Sequence, residues 1–206
     1  MPPGHLPIKP SVLYFGTPVV LVVTCNEDGG ANITPISSAW ALGQRVVLGL
    51  GASGKGAGNL LRTGECTLNF PSADLWTGIE RIAKATGLSP VPDDKTAAGY
   101  MHVADKFALG GFSRAASLGV RAPRIAECPL QMEAKLVADH PFAAESDAPC
   151  PHLIAEVAVL QTHARSDIVI AGSNHIDPSR WNPLFYVFRH YFGHATDLGR
   201  NFRSEV

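Results

Sequence analysis

The sequence predicts a mainly β chain, folded as a small antiparallel barrel with helices at its edge. Three observations predict it. Apolar, β-branched runs come in pairs joined by turn residues, as hairpins require. The segments between most strands are too short for the long crossover helices of a parallel sheet. The 20 glycines and 16 prolines imply many turns and short elements.

The elements follow in order. Residues 1–18 carry five prolines and read as an extended N-terminal arm. Val19–Cys25 is apolar and β-branched, a strand buried on both faces rather than an alternating one. Asn26-Glu-Asp-Gly-Gly supplies turn chemistry, so Ala31–Ser37 returns antiparallel. Arg45–Leu50 is a third strand. Gly58–Arg62 is a short helical turn ended by Gly64, and Glu65–Phe70 is a fourth strand stopped by Pro71. Ser72–Thr86 reads as a helix: Ser72 stands as N-cap, Leu75, Ile79, Ile82 and Ala83 share a face, and Gly87 closes it. Residues 93–128 are irregular, with a helix over Asp94–Met101. Leu130–Ala138 and Leu153–His163 alternate and read as central strands, with a surface loop over 139–151. Asp167–Ala171 reads as a further strand or an extended edge, and Leu184–Tyr191 ends the ordered part. No linker or repeat divides the chain, so residues 1–206 are expected to form a single domain.

Composition removes several classes of function. Lys and Arg total 17 against 18 Asp and Glu, which leaves no electrostatic footprint for nucleic acid or a membrane surface. An apolar content of 46% with 17% charged residues belongs to an ordered globular chain. Cys25, Cys66, Cys128 and Cys150 lack zinc-site spacing and read as reduced, packed thiols. No apolar run approaches the ~18 residues of a membrane helix. Gly16 and Pro18 interrupt the one stretch that resembles a secretory leader, so a cytoplasmic protein is expected.

The chemistry concentrates in GASGKGAGN, residues 51–59. Glycines let backbone N–H groups crowd an anion, and Lys55 adds a full charge, so a phosphorylated ligand is expected. Gly49 to Gly54 matches G-x-G-x-x-G after a strand, but the helix that should follow is too short for a dinucleotide fold. Gly49 to Lys55 matches G-x-x-x-x-G-K, but Gly56 stands where a triphosphate loop needs Ser or Thr. A third reading is a monophosphate clamp between barrel strands, made from Ser53, Lys55 and the amides of residues 54–57. Pro35, Ile36, Ser37, Ser38, Ala39 and Trp40 on the neighbouring strand would line the rest of the ligand, through hydroxyls and an aromatic face. A glycine-rich loop that binds nothing is the plain alternative.

Other residues carry less. His190 and His194 are four apart, but Tyr-Phe-Gly between them argues against a helix and no third ligand is evident, so no metal is expected. His102, Asp105 and Lys106 read as a solvated loop, or else a substrate lid. Phe112 and Ser113 either pack or face an open ligand. Arg121 and Arg124 read as surface charges, and Trp76 and Trp181 as core or interface residues.

Several segments together resemble the flavin reductase-like family with an FMN-binding split β-barrel: LVVTCNEDGGANITPISSAW, NLLRTGECTLNFPS, ATGLSPVPDDK, APRIAECPLQMEAKL and FYVFRHYFGHATDLGRNFRSE, from about Gly16 to Glu205. The resemblance implies a six-stranded antiparallel Greek-key split barrel with peripheral helices. It also implies a homodimer with FMN near the subunit interface. By position, Pro35 to Trp40 would contact the ring and ribityl chain, while Ser53, Gly54, Lys55 and Gly56 would hold the phosphate with Asn59 beside it. Arg189 and Tyr191 would lie near the flavin or the dimer contact. Relatives use turns rich in Ser and Thr, whereas here Ser53 is the one hydroxyl and more of the clamp must be backbone.

The activity implied is transfer of hydride from NADH or NADPH through FMN to a flavin or another small-molecule acceptor. No side-chain acid or base is required, because the flavin carries the chemistry. Two other functions share the barrel. One is a non-catalytic module holding flavin or haem. The other is an enzyme like pyridoxamine-phosphate oxidase, which would need cations beyond Lys55.

Overall fold

The computed structural model describes residues 4–142 and 151–199. The chain runs through β1 (Phe15–Pro18), β2 (Val20–Cys25), β3 (Ala31–Ile36), β4 (Ala39–Leu42), β5 (Arg45–Gly51), α1 (Lys55–Thr63) and β6 (Glu65–Phe70). It continues through α2 (Trp76–Ile82), β7 (Ala85–Thr86), α3 (Asp93–Ala97), β8 (Met101–His102), α4 (Lys106–Gly110), β9 (Arg114–Ala115) and β10 (Arg124–Ile125). Two long strands, β11 (Leu130–Pro141) and β12 (His152–Ala164), and a final hairpin, β13 (Phe185–Val187) and β14 (His190–Phe192), complete it.

The main sheet has the order β3-β2-β6-β11-β12-β5-β4, with every neighbouring pair antiparallel. The first hairpin forms in the expected register, Val20 opposite Ile36 and Cys25 opposite Ala31. β3 and β4 lie at opposite edges of the sheet yet are consecutive in the chain, broken only at Ser37 and Ser38. One kinked run therefore pairs with β2 through its first half and β5 through its second, which closes the sheet. Counted as one strand, it makes the barrel six-stranded. The antiparallel pairing removes the dinucleotide and triphosphate-loop readings, which need a parallel sheet.

Two apolar layers share the sheet. Val20, Val22, Val46, Leu48, Leu60, Leu68, Ala155 and Val157 fill the barrel interior. Leu21, Val23 and Ile33, on the opposite face, pack with Ile79, Ile82, Phe107 and Ile125. β2 is thus buried on both faces, which explains why its sequence does not alternate. The outer layer also buries polar side chains. Thr67 donates to the Pro123 carbonyl, and the Asn69 oxygen accepts from the Ile125 amide. Glu133, fully buried, accepts from the Leu118 and Gly119 amides and bonds His163 Nε2 at 2.7 Å. These contacts fasten the irregular 113–126 stretch to the barrel wall.

Several helix and strand expectations need correction. The short turn at 58–62 is a nine-residue helix that already begins at Lys55. The 72–86 helix is a 3₁₀ turn at Ala73–Leu75, then α2, and it stops at Ile82 because Ala85 and Thr86 pair in parallel with Met101 and His102. Ser72 does not cap it; its hydroxyl bonds Asp74 instead. The helix expected at 94–101 ends at Ala97. The expected strand at 167–171 is a 3₁₀ turn at Ser166–Ile168 with one bridge from Val169 to Ile176. Part of the arm is ordered: β1 joins β13 and β14 in a small separate sheet. Cys66 and Cys128 are buried and Cys25 half-buried, while Cys150 and most of the 139–151 loop lie outside the described residues.

Glu133 yields a pH prediction. Removal from water works to raise its pKa, but the two amides and His163 outweigh this and hold it below the usual carboxylate range. Its contribution is therefore present above the unfolded value near ~4.3 and is lost as pH falls through the lower folded value. Denaturant unfolding should show Glu133→Gln destabilised by about 1.5–3 kcal/mol at pH 7, a deficit that shrinks toward pH 3.

Candidate functional site

α1 is planted by a close approach. A Cβ on Gly56 would stand 2.2 Å from Thr34 Oγ1, so only glycine lets the first turn of the helix lie on β3. The start of α1 is thereby fixed beside the strand that runs on into Pro35 and Ile36. Gly54 is the N-cap, no side chain caps the helix, and its first turn holds no acidic residue. The first amides thus point outward without a side-chain acceptor, at the positive end of the helix. Gly64, at φ 67°, ends it as expected.

A second stretch closes on the same place. Gly49 packs on Ser38, whose hydroxyl donates to the Gly49 carbonyl at 2.7 Å, while the Gly49 amide donates back to the Ser38 carbonyl. A Cβ on Gly87 would meet Asn32 Oδ1 at 2.7 Å and Lys55 Cγ at 3.0 Å, so the 86–88 backbone forms another wall. β3 is therefore brought against α1 at Gly56, and Ser38 against Gly49 of the strand that leads on to Ser53 and Gly54. Ala39 points into the barrel core, and Trp40 lies on the other side of β4, 58% exposed.

Three further predicted residues are placed as follows. Asn59 is buried and its amide is engaged, donating to Thr24 Oγ1 at 3.2 Å and Asn26 Oδ1 at 2.8 Å, which ties α1 to the β2 hairpin. Tyr191 donates to Glu80 at 3.0 Å and packs with Trp76 and Tyr186 against the outer layer. Burial of that hydroxyl and its bond to Glu80 push its pKa up. Arg189 sits in the exposed hairpin turn between β13 and β14, at φ 71°. Within one chain neither reaches the glycine turn, because α1 and the outer layer occupy opposite faces of β2 and β3.

Charge at the site has two sources. Lys55 Nζ bonds Glu27 Oε2 at 2.5 Å, and Arg62 Nε stands 3.5 Å from Glu27 Oε1. The hydrogen bond from Lys55 holds the Glu27 carboxyl below its usual pKa. The second source is Lys106, which sequence reasoning left in a solvated loop or lid. It is 4% exposed, and its Nζ donates to the Ile33 carbonyl of β3 at 2.9 Å. Burial, with Lys95 nearby, pushes its pKa down to about 8. Asp105 puts it there by capping α4, accepting from the Phe107 and Ala108 amides. The pattern Asp-Lys-Phe ahead of Ala-Leu-Gly was the available signal: an N-cap, then a buried aromatic. Between the two cations, Asn32 Oδ1 is buried and has no hydrogen-bond partner, while its Nδ2 donates to Thr34.

The remaining candidates fall into packing. Phe112 is buried in the outer layer, and the Ser113 amide bonds Glu127. Arg121 pairs with Glu65. Arg124 is mostly buried rather than a surface charge, bonded to Gln131 and the Ala116 carbonyl. A groove of about 450 Å³ lies elsewhere, on the outside of β12 against residues 169–176, and contains none of the residues above.

Comparison with known proteins gives the family and the fold. A family model described as "Flavin reductase like domain" matches residues 12–195. The chain belongs to the flavin reductase-like family. As a family member it is a flavin-related oxidoreductase with the split-barrel fold. It is 42% identical over 199 residues to the uncharacterized protein YdfE of Bacillus subtilis (strain 168), covering 97% of this chain and 94% of that one. Flavoredoxin of Desulfovibrio vulgaris (Miyazaki F) superposes with a TM-score of 0.76 at 18% identity, covering 98% and 99% of the two chains. Nitrilotriacetate monooxygenase component B from Bacillus cereus gives 0.76 at 15% identity, covering 96% and 100%. At such identities these two structures establish the fold.

Two glycines of α1 separate seat from propensity. Gly56→Ala should lower stability by about 1–3 kcal/mol, because the helix must lift from Thr34. Gly58→Ala, whose Cβ meets open space, should be neutral or stabilising by up to about 1 kcal/mol. Denaturant unfolding of the two variants checks the contrast.

Proposed function

We propose that this chain binds FMN and passes hydride from NADH or NADPH to a small-molecule acceptor, a flavin or another oxidant. The observation that carries this reading is the start of α1: uncapped amides, Ser53 and Lys55, held against the strand that runs from Asn32 to Trp40. The phosphate of FMN would take the helix start, where the amides, the hydroxyl and the ammonium all donate. Family membership supplies a flavin, and a helix start with one lysine is suited to the monophosphate of FMN. The ribityl chain and ring would lie along Pro35, Ile36, Ser37 and Ser38.

The bound flavin supplies the redox chemistry at its ring. The protein's residues bind, orient and set charge. Lys106 is a cation in a low-dielectric wall, fixed on the edge of β3, and stabilises negative charge that develops nearby. With its pKa near 8 it can also lend a proton around neutral pH.

A homodimer is part of the proposal. Trp40 and Leu42 leave one exposed apolar face on β4, and Leu160 is exposed on β12. A second copy covering this face would bring Trp40 under protein and place another chain beside the 35–40 strand. Sedimentation should give twice the chain mass, and Trp40→Glu should shift it toward monomer. No helix among the described residues is long and apolar enough to cross a membrane; a cytoplasmic enzyme is proposed.

Purification without added cofactor should yield yellow protein whose released chromophore is FMN, bleached by NADH or NADPH. Coloured protein that leaves both nicotinamides unoxidised would instead mark a storage or relay module, and released haem would remove the flavin reading. Lys55→Ala should weaken FMN binding by about 10- to 150-fold, from a charge-assisted bond of about 1.5–3 kcal/mol. Lys106→Met should lower the rate of flavin reduction by about 10²-fold, with a smaller change in FMN affinity. Fluorescence titration and stopped-flow bleaching read the two effects.

A further inference from the structure

We propose that Glu27 is a displaceable counter-ion of Lys55, so that a phosphorylated flavin enters by exchanging one anion for another and leaves by the reverse. The proposal rests on reading the start of α1 as a flavin phosphate site. The Lys55 ammonium, which that reading assigns to the phosphate, is already held by Glu27 Oε2 at 2.5 Å. Lys55 is mostly buried, whereas the Glu27 side chain is 62% exposed and springs from the turn of the first hairpin. The carboxylate is therefore the partner free to move, and the ammonium stays at the helix start.

Glu27 also has somewhere to go. Arg62 Nε is 3.5 Å from its other carboxylate oxygen. Arg62 is itself pinned, donating from Nη2 to the Cys25 carbonyl at 2.5 Å and Asn59 Oδ1 at 3.3 Å. When Lys55 turns to a phosphate, Glu27 keeps a cation and is not stranded. No covalent step is involved; one ion pair opens as another closes.

The functional consequence is exchange. The bond that Lys55 makes to phosphate is offset by the bond it gives up, so the flavin is held less tightly than its donors alone would hold it. Glu27 thus loosens the bound flavin and speeds its release relative to a site in which Lys55 had no other partner. An uncharged flavin without a phosphate does not enter this competition.

The experiment measures affinity and release rate for FMN and for riboflavin with wild-type protein, Glu27→Gln, Lys55→Met and the double variant. Thermal melts check that each is folded. Glu27→Gln should tighten FMN by about 3- to 10-fold through slower release and leave riboflavin unchanged. In the Lys55→Met background the gain should fall to less than half, because no ammonium is left to contest. Unchanged or weaker FMN binding in Glu27→Gln overturns the proposal, as does an equal gain in both backgrounds, which would be direct repulsion alone. If wild-type protein binds FMN no better than riboflavin and Lys55→Met changes neither, the phosphate site itself fails, and Glu27 with it. FMN preference that depends on Lys55, without the Glu27 gain, removes only the counter-ion.

Discussion

The contact of Gly56 with Thr34 is the constraint on which the rest of the site depends. Any side chain at that point would push α1 off β3. With glycine there, a short helix starts hard against an edge of the sheet, and the start of a helix is where backbone amides lack partners. The sequence places no acid in that first turn and no hydroxyl cap before it, so nothing of the helix's own answers those amides. A lysine at the first helical position adds a cation to those unanswered amides, and the proposed phosphate site rests on the two together. The barrel's role is to hold the facing strand still, and the interior packing of Val20, Val22, Leu48 and Leu68 does that.

The kink at Ser37 and Ser38 links closure of the barrel to the proposed flavin site. Because the same run of chain pairs with β2 and then with β5, it must leave one sheet edge and join the other. Residues at the crossing cannot make continuous ladder bonds on both sides, so Ser38 bonds Gly49 instead. The break falls shortly after Thr34, the residue on which Gly56 seats α1. Fold and site are consequences of one topological choice.

Much of this was legible in the sequence, and what was missed has physical causes. β2, β3, β5, β6, β11 and β12 announce themselves through β-branched runs and turn residues. The start of α1 does not, because two glycines in four residues argue against a helix. Here tertiary contact outweighs propensity: the glycine that weakens the helix is the one that seats it. Lys106 was missed because a lysine in a polar, irregular stretch is ordinarily solvated, and only the fold shows that α4 tucks it against β3. Arg189 and Tyr191 were placed by resemblance near the flavin or the dimer contact; within one chain they belong to the final hairpin on the outer layer, which leaves the dimer contact as their place in the proposal. Thr67, Asn69 and Glu133 carried a signal that passed unused: polar residues on the outer face of their strands, each answering a backbone group of the 113–126 stretch.

The most direct test is a crystal structure of this chain grown with FMN. The account predicts the phosphorus atom at the start of α1, its oxygens within hydrogen-bond distance of the amides of residues 55–57 and of Lys55 Nζ, with the ring along residues 35–38. A phosphate bound elsewhere, with the start of α1 left to solvent or still answered only by Glu27, would contradict it.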